Sequence, residues 1–68
     1  MEKPLENIFR YHPPKDDQPK RYETIRSLGH GFAEAIENLC PPSAERDEAI
    51  KKIREAVMWA NASIACNE

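Results

Sequence analysis

The proline pair Pro41-Pro42 divides the chain more sharply than any other feature of its sequence. A proline removes a backbone donor and disfavours helix at the residue before it, so regular helix cannot continue through the pair. Ser43 follows directly and is a good helix N-cap, and Glu45 and Asp47 suit the positive end of a helix dipole. The pattern predicts two helices joined by a Pro-Pro-Ser turn, which form an antiparallel hairpin.

Each predicted helix carries one apolar stripe with steps of three and four residues. The first helix is expected over residues 19–40 and the second over residues 43–66. Gly29 fills the gap in the first stripe, where it allows either the facing helix or a ligand to approach closely. We expect the stripes to pack on each other, and their members are Tyr22, Ile25, Gly29, Phe32, Ile36 and Leu39, then Ile50, Ile53, Val57, Ala60 and Ile64.

The second helix has another apolar face near its end, opposite the first stripe. Two paired helices can bury only the face along which they meet. A single core in a chain below about 70–80 residues rarely supplies more than ~3–5 kcal/mol of stability. Residues 1–68 form one small domain, so we expect the second face to be covered by the N-terminal arm or by another copy of the chain. Self-association into a compact homo-oligomer follows, with an interface formed by Met58, Trp59, Ala62 and Ala65.

Composition excludes several classes of protein. The formal net charge is −2, which argues against a nonspecific binder of long DNA or RNA. No apolar run has the ~18 residues of a membrane span, and the N-terminus lacks the apolar region of a signal peptide. The expectation is a soluble cytoplasmic protein with reduced thiols. A basic excess of +2 over residues 10–26 suits a compact anionic ligand better than a polymer.

Catalytic and metal patterns are missing from the sequence. His12 and His30 do not have the spacing of metal ligands, and Cys40 and Cys66 have no orienting partner nearby. The two cysteines should lie at opposite ends of the hairpin, ~30 Å apart at 1.5 Å rise per residue, which is too far for an intrachain disulfide. We expect no enzyme activity, no metal and no cofactor.

The N-terminal arm, residues 1–18, is the best candidate for ligand binding. A short helical turn is expected after Pro4, followed by Phe9, Arg10, Tyr11, His12 and a rigid proline pair. Aromatic rings stack on bases and guanidinium groups bind phosphate oxygens in pairs. Phe9, Tyr11 and His12 with Arg21 and Arg26 are therefore candidate ligand-binding residues. The alternative is an aromatic arm that only packs on the hairpin.

The segments IFRYHPPKDDQPKRYETIR and PPSAERDEAIKKIREAVMWANASIACNE resemble the phage anti-CBASS cyclic-oligonucleotide sponges, whose hairpin is similar to that of the Thoeris anti-defence sponge. The resemblance implies a helical hairpin that assembles into a compact homohexamer. It also implies that cyclic dinucleotides such as 3′,3′-cGAMP are held between subunits and are not cleaved. In some members cyclic trinucleotides bind in separate pockets.

The same resemblance assigns individual residues. It matches the family's base-stacking tyrosine to Tyr11, and its basic residue on the first helix, often lysine, to Arg26. An arginine that the family associates with the trinucleotide site is replaced here by Cys66. Thr24 is a candidate for lining a second pocket.

A protein-interaction module is the alternative function. In that interpretation, the face that carries Met58 and Trp59 docks in a groove of another protein. Oligomeric state and retention of a cyclic nucleotide distinguish this alternative from a sponge.

Overall fold

The fold is an all-α, two-helix hairpin, as the sequence predicts. The computed structural model describes residues 15–68, in which α1 spans Gln18–Leu39 and α2 spans Ala44–Asn67. These bounds lie within one residue of the helix limits expected from the sequence. The N-terminal turn and most of the arm fall outside the described residues. Neither helix in the described range has the length and apolar character needed to cross a membrane.

Local hydrogen bonds explain where the helices begin and end. Pro19 lies in the first turn of α1, where its missing donor costs nothing. The Ser43 side chain accepts a hydrogen bond from the backbone N–H of Arg46 at 3.0 Å, which confirms it as the N-cap of α2. The Arg46 guanidinium donates in turn to the carbonyls of Glu37 and Cys40, at 3.1 and 3.4 Å. Arg46 therefore fastens the start of α2 to the end of α1.

The two helices meet at Gly29. A Cβ atom placed on Gly29 would lie 2.5 Å from Cγ2 of Val57 and 3.9 Å from Cγ2 of Ile53. Such a separation from Val57 is far inside van der Waals contact, so the missing side chain sets how closely the helices approach. Of the two roles expected for Gly29, the structure shows the close approach of the facing helix.

The packing stripes are buried less than the sequence predicts. None of the apolar residues from 15 to 68 is fully buried. Phe32 and Leu39, expected in the stripe against α2, are 58% and 81% exposed. Both side chains are covered less than a packed stripe predicts, because two helices touch along one narrow line and the edges of each stripe remain open.

Three polar side chains, here called the terminal clamp, join the start of α1 to the end of α2: Gln18, Arg21 and Glu68. Gln18 is only 5% exposed, and its amide donates to Oε1 of Glu68 at 3.0 Å while its oxygen accepts from the backbone N–H of Lys15 at 3.0 Å. Arg21 binds both carboxylate oxygens of Glu68, with Nη1 2.8 Å from Oε2. The clamp holds the open end of the hairpin.

The terminal clamp also shifts the pKa values of Glu68 and Arg21. The hydrogen bond from Arg21, followed by that from Gln18, lowers the pKa of Glu68 from 4.5 to about 2. The same hydrogen bond to Glu68 raises the pKa of Arg21. An ionised Glu68 is therefore favoured by the folded hairpin.

Gly29 and Gly31 provide a matched pair of substitutions. Gly31→Ala adds a methyl group with no atom within 4 Å to meet, so it should raise the free energy of unfolding by up to ~1 kcal/mol through helix propensity. Gly29→Ala forces that methyl group against Val57, and overpacking of this kind costs ~1–3 kcal/mol. Urea denaturation should give opposite signs for the two variants, and equal stabilisation by both would contradict the close helix contact.

Glu68→Gln should lower stability at neutral pH, because the neutral amide loses its charge-assisted bonds with Arg21. Since the folded pKa of Glu68 lies below its usual value, the stabilisation is complete above about pH 4.5 and is lost as pH falls towards 2. Thermal unfolding of wild type and variant should therefore differ at pH 7 and converge near pH 2. Glu23→Gln, an exposed change on the same helix, is the control and should show no such convergence.

Candidate functional site

A groove between the helices brings together basic side chains from both. This cationic groove has a volume of about 410 Å³, within the ~300–1,000 Å³ range of small-molecule sites. Residues three or four apart lie on the same side of a helix, so each helix contributes several residues to a wall of the groove. The lining residues are Arg26, Gly29, His30 and Ala33 of α1, with Ile50, Ile53, Arg54, Val57 and Met58 of α2.

The charges of the cationic groove have one sign. Arg26 and Arg54 line it, and none of its lining residues within 15–68 is acidic. Neither guanidinium makes a hydrogen bond or ion pair with another residue between 15 and 68. His30 is partly engaged, since its Nδ1 lies 3.6 Å from Oε1 of Glu34. The groove therefore has an almost wholly apolar lining, and its two arginines have no partner within residues 15–68.

A second groove, here called the apolar groove, lies on the other side of the helix contact. Its volume is about 570 Å³, and its exposed walls include Leu28 and Phe32. Lys52 is its one charged lining residue, and it is paired with Glu48 and Glu55 at 3.5 and 3.3 Å. Gly29, Ile53 and Val57 line both grooves. Because its walls are apolar and Lys52 is already paired, the apolar groove suits contact with another apolar surface better than binding of an anion.

The structure separates the predicted ligand-binding residues of the hairpin. Arg26 lines the cationic groove, whereas Arg21 belongs to the terminal clamp, where Asp17 also lies 3.2 Å from its Nε. The Thr24 hydroxyl donates to the Lys20 carbonyl at 2.9 Å on an exposed turn of α1. Roles for Arg21 and Thr24 in ligand binding remain predictions. Phe9, Tyr11 and His12 lie outside the described residues.

The predicted interface residues occupy different surroundings. Met58, 62% exposed, forms part of the wall of the cationic groove, and Trp59 is 76% exposed. Ala62 and Ala65 are half-buried. The two large side chains are thus available to a partner in this single chain. Leu28 and Phe32 form a further exposed apolar surface that the sequence analysis did not assign to an interface.

Sequence reasoning missed Arg54 and His30 as neighbours of Arg26. The signal was present in the register of an antiparallel hairpin: with Gly29 opposite Val57, Arg26 and Arg54 are offset by about six residues, or ~9 Å along the helix axis, and both line the same groove. Within residues 15–68 there is no cluster of three His, Cys, Asp or Glu side chains able to hold a metal ion.

Comparison with known proteins places the chain in one family. No curated protein and no solved structure matches it. The family model described as "Acb2/Tad1, hairpin domain" matches residues 1–65 of the 68 residues. The match includes the arm, the turn at Pro41-Pro42 and nearly all of α2. The chain therefore belongs to the Acb2/Tad1 hairpin domain family.

Proposed function

We propose that this protein is a phage anti-defence sponge that binds cyclic dinucleotides such as 3′,3′-cGAMP and holds them intact. By lowering the free concentration of the signal in the cytoplasm of an infected bacterium, it blocks activation of CBASS effectors. The observation that carries the proposal is family membership across residues 1–65, which includes both Tyr11 and Arg26. Binding without turnover requires no catalytic group, no metal and no cofactor.

The surroundings of Arg26 support a role in ligand binding. Its guanidinium has no partner among the described residues and lines a groove without acidic side chains. A free guanidinium binds two phosphate oxygens at once, and it keeps the charge of the lysine that is familiar at this position. Tyr11 supplies the aromatic ring that stacks on a base. Phe9 and His12 are proposed as further contacts from the same arm.

The exposure of large apolar side chains supports assembly. Phe32, Met58 and Trp59 are all more than half exposed, and no apolar residue of the hairpin is fully buried. A 68-residue chain without a closed core is marginal alone, and oligomerisation is one remedy. We propose a homohexamer in which Met58, Trp59, Ala62 and Ala65 contact neighbouring subunits.

Symmetry links the assembly to the ligand. A cyclic dinucleotide has two bases and two phosphates, and a two-fold interface presents each protein residue twice. One Tyr11 and one Arg26 per chain therefore become a pair around one ligand. Cyclic trinucleotides are proposed as weaker ligands, because Cys66 offers no positive charge where the resemblance places an arginine.

The first test of this proposal is a calorimetric titration with 3′,3′-cGAMP. Tyr11→Ala should remove ~1–3 kcal/mol of stacking per base, and with two copies per ligand the loss of affinity should reach ~10²–10⁴-fold. Tyr11→Phe keeps the ring and should bind nearly as wild type does. Arg26→Ala should weaken binding, whereas Arg26→Lys should retain much of it. Wild-type affinity in Tyr11→Ala would place the site elsewhere.

The second test concerns assembly. Trp59→Glu introduces a charge on a side chain that is exposed in the single hairpin, so the helices should persist while the oligomer dissociates. Light scattering at micromolar concentration should show a lower mass for this variant, with helical content by circular dichroism unchanged. Lys51→Glu, also exposed on α2, is the control and should keep the wild-type mass. A monomeric wild type that binds no cyclic nucleotide would favour the protein-interaction module.

A further inference from the structure

We propose that Arg54 is a second phosphate-binding residue, which acts with Arg26 from the opposite wall of the cationic groove. The inference rests on the proposed function, and it extends the site from α1 to α2. No sequence pattern singles out Arg54, which lies in a strongly charged stretch of α2. Its assignment depends on the groove that the hairpin forms.

The four arginines of the described chain divide into two groups. Arg21 is bound to Glu68 and Asp17, and Arg46 donates to the carbonyls at the end of α1. These two hold the hairpin together at its opposite ends. Arg26 and Arg54 have no such partners within residues 15–68, and both line the same groove. The two arginines without a partner in this part of the chain are therefore two that line one groove.

The groove favours an anion that also carries apolar surface. Arg26 and Arg54 give it positive charge, and no lining side chain within residues 15–68 carries a counter-charge. Guanidinium groups bind phosphates through paired hydrogen bonds. Ile50, Ile53 and Val57 form the apolar floor, against which a base or a ribose can pack.

A cyclic dinucleotide satisfies both requirements with one molecule. One phosphodiester can meet Arg26 from α1 and Arg54 from α2 of one hairpin, and the two-fold related hairpin can bind the other phosphodiester in the same way. The imidazole of His30 can add a hydrogen bond, although Glu34 already lies 3.6 Å from its Nδ1. We therefore assign the two arginines the main share of phosphate binding on the hairpin.

The experiment is a calorimetric titration of 3′,3′-cGAMP into wild type, Arg54→Ala, Arg54→Lys and Lys51→Ala. Arg54→Ala should lower affinity by about 10- to 100-fold, the size of a lost hydrogen bond to a charged group, and should weaken the dependence of binding on salt. Arg54→Lys keeps the charge without the paired donors and should fall between. Lys51→Ala removes one positive charge from the same helix, outside the groove lining, and should bind as wild type does.

The outcomes separate this inference from the proposed function. If Arg26→Ala weakens binding and Arg54→Ala does not, the sponge proposal stands and the role of Arg54 is overturned. Loss of affinity together with a changed mass in light scattering would make Arg54 an assembly residue and would also overturn it. If wild type binds no cyclic dinucleotide, the sponge proposal fails.

If wild type binds no cyclic dinucleotide, a second measurement tests whether the cationic groove binds anions. Titration of inorganic pyrophosphate, followed by the side-chain Nε–Hε signals in NMR, should shift the signals of Arg26 and Arg54 and leave that of Arg46 in place. Joint shifts would support anion binding by the two arginines independently of any nucleotide. Unshifted signals for both would overturn it.

Discussion

The close approach of α1 and α2 at Gly29 is the contact on which the rest of the hairpin depends. Without a side chain at this position, Val57 of the facing helix can occupy the space that a Cβ would fill. Two cylinders that touch along one line create a groove on each side, and the residues that flank Gly29 become the walls of these grooves. The same contact leaves every large apolar side chain of the described hairpin partly exposed. The helix contact, the two grooves and the exposed apolar side chains thus have a common origin.

Local chemistry made the helices predictable. Pro41-Pro42 can only interrupt a helix, Ser43 is chemically suited to begin the next one, and the three–four spacing of apolar residues has few other interpretations. Arg26 was predicted as a binding residue, and the structure locates it in a groove. Its ligand remains a proposal.

Features that depend on the relative placement of the helices were not predictable in this way. The exposure of Phe32 depends on how wide a strip of α1 the facing helix covers, which no single-helix pattern encodes. Arg46 donates to the α1 carbonyls, and these bonds need the geometry of the turn. Whether Arg54 and Arg26 line the same groove likewise depends on the register between the two helices. Arg21 was predicted as a ligand contact, and its bonds to Glu68 could not be foreseen because the position of Glu68 depends on how the two helix ends meet.

Gly29, Ile53 and Val57 belong to both grooves, so only one layer of side chains separates the two surfaces. A change at Arg26 or at Phe32 alters one surface and spares the other. A change at any of the three shared positions alters both at once. During evolution, Arg26 or Phe32 can therefore vary with one surface alone, whereas a change at any shared position must suit both grooves.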